Sequence, residues 1–482
     1  MLFNSIAFAC FLPVIFVLYW FVTARKLMVQ NAMLVVASYF FYACWDWRFL
    51  FLLLFSTALD YISGLQMSTS KNEVTKKFWF VLSIVVNLGF LGVIKYYDFF
   101  ATSFVSLFHS FGISLTIQTL HIILPVGISF YTFHGLSYII DCYKNRIEPE
   151  RNLVNYALFV SFFPLLVAGP IERATHLLPQ LKKPRIFKYD QAVLGLQQML
   201  WGLFKKIVIA DQCAVIVQDI FTHTEVYSGS TLFVGAVFFA FQIYGDFSGY
   251  SDIALGVAKL FGIDLLKNFN YPYFSRDIAE FWRRWHISLS SWFKDYVYVP
   301  LGGNRGTQWQ TARNVLVIFI ISGFWHGANW TFICWGLLHA LYILPSILHR
   351  THKNFSEIVA EGSVFPSLRE LIQMGITFVW VTLAWIFFRA ENVTQAFQII
   401  ETVFSHSFFQ IPEFNGKWHA LTTLLWILVC MSLEWWNRKH DFGLVQLGSV
   451  KYRTIRWSVY YVILFLIVYF AGAPQQFIYF QF

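Results

Sequence analysis

The sequence predicts an all-α polytopic membrane protein, and three observations lead to this prediction. Of its 482 residues, 57% are hydrophobic, 20% are aromatic and only 13% are charged, whereas roughly a quarter of a soluble protein is charged. Apolar stretches long enough to cross the hydrocarbon as helices recur from one end of the chain to the other. No linker, internal repeat or low-complexity tract divides the sequence, so residues 1–482 are predicted to form a single integral-membrane domain.

The charge balance indicates lipid rather than nucleic acid as a partner. The chain has 35 Lys and Arg against 26 Asp and Glu, a formal charge of +9. Basic residues of membrane proteins collect in cytoplasmic loops beside anionic lipid, so this excess predicts no polyanion. The six cysteines are scattered without a C-x-x-C pair, and motifs of metalloproteases, serine esterases and EF-hands do not occur. The sequence therefore predicts no disulfide framework and no metal site.

The first apolar segment, Leu2 to Val22, lacks both a basic leader and a small-residue cleavage site. This predicts an uncleaved span with the N-terminus outside. Alternating the side of each loop, with basic loops in the cytoplasm, predicts the further spans. They lie near residues 28–45, 48–66, 78–96, 120–140, 191–221, 231–262, 370–388, 418–436 and 457–473. With the re-entrant segments described next, about eleven crossing or half-crossing helices are predicted.

One apolar run, Leu153 to Ala168, breaks the alternation because the loops on both sides of it are basic. Pro164 lies inside this run, and Gly169 and Pro170 lie just beyond it. We therefore predict a re-entrant or interfacial segment, whose backbone must be satisfied by protein or by a water-filled cavity. The stretch from Gly262 to Arg313 is too polar to cross and is predicted to lie in the cytoplasm.

His326 lies in the sequence WHGAN between two apolar runs, Val315 to Phe324 and Trp330 to Ile347. The first run rises only about 15 Å, half of a hydrocarbon core of ~30 Å, so a hairpin would put its turn near the midplane. An ionisable residue at that depth usually faces a cavity and has a function. Burial also favours the neutral imidazole, which can accept a proton. The alternative is a structural histidine that bonds a carbonyl freed at Gly323 or Gly327.

The segment from Asp277 to Tyr298 has the pattern of an amphipathic helix at the membrane interface. Steps of four, three, four and three place five residues on one face: Trp282, His286, Leu289, Phe293 and Tyr296. Arg283 and Arg284 fall on the flanks, where they could snorkel to lipid phosphate or meet a phosphorylated donor. His286 is therefore either a boundary residue of an interfacial helix or part of a cytoplasmic entrance.

Two weaker signals lie nearby. The turn LGGNRG could hold an anionic group with its N–H groups and Arg305, or it could be a tight turn alone. Asp246 and Asp252 lie in an otherwise apolar stretch. A carboxylate there needs a partner, and Lys205 or Lys206 is predicted to supply it.

These motifs resemble the signature of the membrane-bound O-acyltransferase family. The resemblance rests on NFNYPYFSRDIAEFWRRWHISLSSWFKDYVYVPLGGNRG and SGFWHGANWTFICWGLLHAL, and it extends to YGDFSGYSDIALG, FFPLLVAGPIER and the terminal FIYFQF. It therefore covers nearly the whole chain. Within the family, YVPLGGNRG is similar to the alginate O-acetyltransferase type of polysaccharide acetylation protein.

The resemblance implies a ring of tilted helices around a central funnel in the cytoplasmic (inner) membrane of a bacterium. It implies an O-acyltransferase that takes an acetyl group from acetyl-CoA or an acylated carrier protein, without a tightly bound cofactor. The acceptor would be a hydroxyl of an exported polysaccharide such as alginate, or of an extracytoplasmic partner protein. The catalytic histidine of the family falls on His326, and its second histidine falls on His286.

On this hypothesis His326 is the general base, and His286 orients the donor or relays a proton. Substrate contacts are predicted at five residues: Trp282, Arg283, Arg284, Arg305 and Asn329. A transporter or flippase of an acylated or lipid-linked sugar would use the same buried polar residues without chemistry, although no inverted repeat is visible in the sequence. A third interpretation is a scaffold that only recruits soluble acetyltransferases.

Overall fold

The structure is a computed structural model that describes residues 1–23, 25–348, 358–472, 475 and 477–480. Within these ranges the chain is helical and has no strand. The α-helices are α1 Ile6–Val17, α2 Leu27–Asp46, α3 Arg48–Thr69, α4 Glu73–Leu91, α5 Tyr97–Ser110, α6 Ile128–Tyr143, α7 Leu153–Ser161, α8 Phe163–Ala168, α9 Ala174–Leu181, α10 Tyr189–Phe204, α11 Asp211–Thr222, α12 Gly229–Leu260, α13 Ile278–Arg284, α14 Ile287–Phe293, α15 Gln308–His326, α16 Trp330–Leu348, α17 Leu368–Arg389, α18 Val393–Val403, α19 Lys417–Trp436 and α20 Arg453–Phe470. π-helical turns lie at Leu18–Val22, Gly92–Tyr96, Lys205–Ala210 and Lys294–Tyr298, and short 3-10 turns lie at Pro272–Phe274, His406–Phe409, Val445–Ser449 and Ile478–Phe480.

Eight helical segments of the described chain are long and apolar enough to cross a membrane. They are Leu27–Asp46, Arg48–Thr69, Glu73–Ser110, Gly229–Leu260, Trp330–Leu348, Leu368–Arg389, Lys417–Trp436 and Arg453–Phe470, and Ile6–Val22 is a shorter apolar helix. The prediction of an all-α polytopic membrane protein is confirmed, and the chain is a multi-pass membrane protein. The central funnel and the number of about eleven crossing or half-crossing segments stay predictions.

Two predicted spans have different bounds in the structure. The span predicted at 78–96 is part of a 38-residue helical segment, Glu73–Ser110. The span predicted at 120–140 begins only at Ile128, because Gly127 before it adopts a left-handed conformation with φ 76°. Hydropathy does not reveal such a backbone reversal, so it predicted the start of α6 too early.

The segment predicted to be re-entrant consists of two short helices. α7 and α8 are separated at Phe162, and Pro164 lies in the first turn of α8. Proline is tolerated there because the N–H groups of the first turn make no hydrogen bond within the helix. With nine and six residues, neither helix can cross a core of ~30 Å. The N–H of Phe163 at the break donates to Oγ of Ser38 on α2, at 3.0 Å. Protein thus satisfies the interrupted backbone, as a re-entrant segment requires.

The chain divides into two compact units, Met1–Gly195 with Val257–Leu266, and Leu196–Gly256 with Lys267–Phe482. The first unit contains a buried polar cluster in which Asp60 accepts hydrogen bonds from Ser83 and Asn87, at 2.6 and 2.8 Å. The second unit contains every predicted site residue, and its core includes four fully buried tryptophans, Trp201, Trp285, Trp335 and Trp385. That the whole chain acts as one domain stays a prediction.

The predicted partners of the two aspartates in α12 are confirmed. Asp252 pairs with Lys205 at 2.7 Å, and Asp246 pairs with Lys206 at 2.7 Å. Both lysines lie in the π-helical turn that follows α10. Pairing of this kind is required because an isolated buried charge is too costly to retain.

Candidate active site

His326 is the last residue of α15, and this helix is longer than predicted. Oγ1 of Thr307 accepts a hydrogen bond from the N–H of Gln310, and the Gln310 side chain accepts one from the N–H of Thr307. This capping box starts the helix at Gln308, so α15 has 19 residues and rises about 28 Å. The prediction of a ten-residue helix that reaches only half the hydrocarbon is therefore wrong. The position of His326 near the membrane midplane stays a prediction, and helix length no longer supports it.

The backbones of α15 and α16 are in close contact, which holds the end of α15 in place. A Cβ atom at Gly323 would collide with the carbonyl of Phe332 on α16. A Cβ atom at Gly336 would likewise collide with the carbonyl of Phe319 on α15. Glycine is therefore needed at both positions of this helix pair.

His286 lies between two short helices rather than within one. α13 ends at Arg284 and α14 begins at Ile287, and His286 between them has a left-handed backbone with φ 44°. The prediction of one continuous amphipathic helix from Asp277 to Tyr298 is therefore wrong, because the helix breaks at its centre. A left-handed histidine costs of order 1–3 kcal/mol, so contacts from elsewhere must hold this conformation.

A stretch of chain before α13 holds one side of this break. The N–H of Asn270 donates to the carbonyl of Arg284 at 3.0 Å, and the Arg284 guanidinium donates back to the carbonyl of Asn270 at 3.2 Å. The same guanidinium forms a buried ion pair with Glu280 at 2.8 Å. Arg284 therefore stabilises the fold through these bonds, and its contact with a donor phosphate stays a prediction.

The structure brings the two predicted histidines together. The ring centroids of His286 and His326 are 6.4 Å apart, and the residues are 1% and 3% exposed. Tyr479, near the C-terminus, lies beside both, with its ring centroid 6.5 Å from His286 and 5.5 Å from His326. Phe247 on α12 packs edge-on against His286 at 4.6 Å. Four segments that are distant in sequence thus meet at the histidine pair.

Buried polar atoms at the histidine pair include three, from His286 and Tyr479, that have no hydrogen-bond partner within the described part of the chain. They are Nδ1 and Nε2 of His286 and Oη of Tyr479. Buried polar groups in proteins are nearly always hydrogen-bonded, so these atoms are available to a bound substrate. Burial lowers the pKa of His286 to about 3, because the charged imidazolium would lose its hydration. The ring is therefore neutral at physiological pH.

Aromatic rings surround His326. Its ring centroid lies 4.8 Å from that of Trp325, 5.0 Å from that of Trp335 and 5.4 Å from that of Phe388. Rings at these distances are in contact with the imidazole and exclude water from it. The enclosure also limits the size of any group that is bound beside the ring.

The remaining predicted substrate contacts are not gathered at the histidine pair. Arg283 and Arg305 are exposed. The Nε1–H of Trp282 donates to Nδ1 of His339 at 3.2 Å, so Trp282 is a core contact of α16 rather than an interfacial anchor. LGGNRG forms a turn in which Gly302 and Gly303 have φ of 103° and 58°, values that favour glycine.

The side chain of Asn329 is engaged at the start of α16. Its Nδ2 donates to the carbonyl of Glu391 at 3.0 Å, and its Oδ1 accepts from the N–H of Thr331 at 3.0 Å. These bonds stabilise the turn between α15 and α16. The amide of this predicted substrate contact is thus hydrogen-bonded within the protein in this structure.

Sequence reasoning missed two residues of this region. For Tyr479 the signal was the aromatic terminal motif FIYFQF, to which no residue role was attached. His339 is 0% exposed, and its ring centroid lies 5.1 Å from that of Trp335. The sequence could have indicated His339 because a histidine within an apolar helix is unusual at membrane depth. No cluster of three or more His, Cys, Asp or Glu suited to a metal ion occurs in the described residues.

Comparisons with known proteins identify the family of this chain. Residues 148–364, which include both histidines, match the model of the membrane-bound O-acyltransferase family. The chain is 39% identical over 418 residues to the probable alginate O-acetylase AlgI of Pseudomonas aeruginosa, covering 86% of this chain and 77% of that protein. It is 37% identical over 430 residues to the peptidoglycan O-acetyltransferase of Helicobacter pylori, covering 83% and 79%.

A more distant relative is the teichoic acid D-alanyltransferase of Bacillus subtilis, 27% identical over 285 residues, covering 55% of this chain and 69% of that protein. The alignments with the two O-acetylating relatives cover 86% and 83% of this chain. The helical membrane fold and the buried histidine pair are consistent with these relatives. The chain therefore belongs to the membrane-bound O-acyltransferase family and is an O-acyltransferase.

Proposed function

We propose that this protein transfers an acetyl group from a thioester donor to a hydroxyl of an exported polysaccharide, or of a partner protein that passes the group onward. The observation that supports this most directly is the buried pair of His286 and His326, 6.4 Å apart, with polar atoms of His286 and Tyr479 that have no partner among the described residues. The relatives named for alginate and peptidoglycan O-acetylation support a cell-envelope polymer as the final acceptor.

The aromatic enclosure of His326 supports acetyl over a long acyl chain. Trp325, Trp335 and Phe388 have ring centroids within 5.4 Å of the imidazole. A long chain would need a channel between these rings, whose displacement would open the packed core. An acetyl group needs no such displacement. The donor is accordingly acetyl-CoA or an acetylated carrier protein.

The mechanism assigned to His326 is general base catalysis. Its neutral imidazole takes the proton of the acceptor hydroxyl while the oxygen attacks the thioester carbonyl carbon. The tetrahedral oxyanion then collapses, the C–S bond breaks, and the imidazolium returns the proton to the departing thiolate. With the Asn329 amide engaged elsewhere, the backbone N–H of Gly327 and Oη of Tyr479 are the candidate oxyanion donors.

Tyr479 also allows a covalent route. Its hydroxyl is buried, unsatisfied by the described residues and adjacent to both imidazoles. A hydroxyl beside a base is the arrangement of an activated nucleophile. In this route an imidazole takes the phenol proton, the phenolate attacks the thioester carbonyl carbon, the C–S bond breaks and the proton goes to the departing thiolate. The outer hydroxyl then attacks the acetyl ester, and the tyrosine leaves as a phenol with the proton of that hydroxyl.

His286 is assigned the donor side of the reaction. It follows α13 in the stretch 262–313, whose basic residues and polarity favour the cytoplasm. From there it orients the thioester or relays a proton, with both ring nitrogens available. The proposal accordingly includes a cytoplasmic donor, an outer acceptor and a location in the bacterial inner membrane.

The test uses membranes that contain the protein and acetyl-CoA labelled in the acetyl group. We expect label to appear on the acceptor fraction and free CoA to be released, and both to depend on His326. A transporter or flippase would release no CoA, and a scaffold would keep full activity in the His326→Ala protein. Label bound to the protein itself separates the two routes, because only the covalent route leaves labelled acetyl on Tyr479. A Tyr479→Phe protein is the control and should carry no such label.

A further inference from the structure

We propose that Asn268 is a positioning residue for catalysis, which clamps the chain after His286 so that its imidazole faces His326. This inference rests on the proposed function of the histidine pair. Asn268 lies in the stretch before α13 and is 1% exposed. It contacts no reacting atom, so it would act through the backbone of its neighbours.

Asn268 makes two hydrogen bonds to the residues that directly follow His286. Its carbonyl accepts from the N–H of Ile287 at 2.9 Å. Its side-chain Oδ1 accepts from Oγ of Ser288 at 2.6 Å. The first turn of α14 is therefore bound to Asn268 by both main chain and side chain.

The other end of the Asn268 side chain is tied to α12. Its Nδ2 donates to Oγ of Ser251 at 2.9 Å. α12 also carries Phe247, one helical turn before Ser251, and this ring packs on the His286 imidazole at 4.6 Å. One helix thus contacts the ring directly and, through Asn268, sets the backbone from which the ring projects. Because these groups are buried, their hydrogen bonds are strong and define one arrangement.

The imidazole of His286 needs such a clamp for two reasons. Its backbone is in the left-handed region, at φ 44°, which is costly for a residue with a side chain unless contacts impose it. Neither ring nitrogen has a hydrogen-bond partner among the described residues. Within the described part of the chain, backbone and packing therefore set the direction of the ring, and Asn268 supplies the backbone part.

The first experiment compares Asn268→Ala with a matched control, Asn437→Ala. Asn437 is a buried asparagine that donates to the carbonyls of Leu433 and Gly443, at 3.0 and 2.7 Å. We expect Asn268→Ala to lower kcat per folded molecule roughly 100-fold, as a misplaced catalytic group does. The control should lose stability in detergent with little change in kcat. Equal kcat in Asn268→Ala and wild type would overturn the proposal.

The second experiment separates positioning from a general structural role. In a His286→Ala background, Asn268→Ala should cause no further loss of kcat, because the imidazole that it positions is already absent. A further loss of the same size would overturn the proposal. If His286→Ala itself keeps full turnover, the proposed function of the pair fails instead.

A second variant covers the case in which the His286→Ala protein has no measurable turnover. Ser288→Ala removes the hydrogen bond to Oδ1 of Asn268 that lies beside His286. We expect it to lower kcat in the same direction, and the double variant with Asn268→Ala to be no worse than Asn268→Ala alone. Fully additive losses would show that the two residues act separately and would overturn the clamp.

Discussion

The carboxylate of Asp246 accepts a hydrogen bond from the backbone N–H of Ile478 at 2.7 Å. Its other oxygen pairs with Lys206 at 2.7 Å, and the same lysine pairs with Asp211 at 2.8 Å. Ile478 directly precedes Tyr479, whose ring lies beside the histidine pair. A buried ion pair in the second unit thus anchors the segment that carries Tyr479.

We expect Asp246→Asn to lower acetyl transfer about tenfold, because replacing a charge-assisted hydrogen bond weakens the anchor by roughly 1.5 kcal/mol or more. The measurement is transfer rate at equal amounts of folded protein. Asp252→Asn is the matched control, since Asp252 also pairs with a buried lysine at 2.7 Å but makes no described contact with residues 477–480. Equal losses in the two variants would contradict a specific role in holding Tyr479.

His326→Ala should lower acetyl transfer roughly 100- to 10,000-fold, because the general base is lost. Expression and membrane insertion should stay near wild type, since alanine is compatible with the end of α15. The control is His134→Ala, which removes an imidazole of similar burial, 1% exposed, from the first unit. Retention of more than a few per cent of transfer by His326→Ala would contradict the catalytic assignment.

Three substitutions at His286 separate its chemistry from its backbone. His286→Ala should have a milder effect than His326→Ala but should lower kcat at least as much as Asn268→Ala, because removing the ring cannot cost less than misplacing it. His286→Gly and His286→Asn should unfold at higher temperature than His286→Ala, because both tolerate the left-handed φ of 44° better. Thermal unfolding in detergent measures this order. A complete loss of transfer with normal donor binding would instead make the two histidines one catalytic unit.

The pH dependence of stability should contain a contribution from His286. Its pKa of about 3 in the folded protein lies below the ordinary value near 6.5, so the folded state favours the neutral ring. This stabilisation is complete above about pH 6.5 and is lost as the pH falls toward 3. His326 and Tyr479 are the titratable groups that face the ring.

Thermal unfolding between pH 7 and 5 checks this expectation. The wild-type unfolding temperature should fall more steeply toward acid than that of His286→Asn, which has no imidazole at this position. Turnover should show no acid limb from His286 above pH 5, because the ring remains neutral there. Parallel unfolding curves for the two proteins would contradict the shifted pKa.

Cysteine labelling tests whether the turn after His326 faces water. A cysteine at Ala328 should react with small polar thiol reagents if the turn opens into a water-filled cavity. Leu337 is 38% exposed in the structure, yet a cysteine there should be protected because its exposure is to lipid. Ala328 is preferred over Gly327, where any Cβ would collide with the ring of Phe332. Equal protection at both positions, in an active protein without its native cysteines, would contradict a cavity at this turn.

The sequence by itself determined the class of the fold and the two histidines. Apolar length and composition are local properties of a chain, so they predicted most spans without knowledge of packing. The motifs around His286 and His326 led to the same two residues that the structure brings together. The start of α15 was also visible locally, because Thr307 and Gln310 form a capping box that the hydropathy of Val315–Phe324 obscured.

Tertiary structure decided the conformation of His286, the environment of Arg284 and the position of Tyr479. The amphipathic period predicted one helix through His286, but contacts from Asn268 and Asn270, more than a dozen residues earlier, impose a left-handed break. Tyr479 reaches the histidines because Asp246, over two hundred residues away, binds the preceding backbone N–H. A helical period records only which neighbours share a face, whereas these features depend on hydrogen bonds between segments that meet only when the chain is folded.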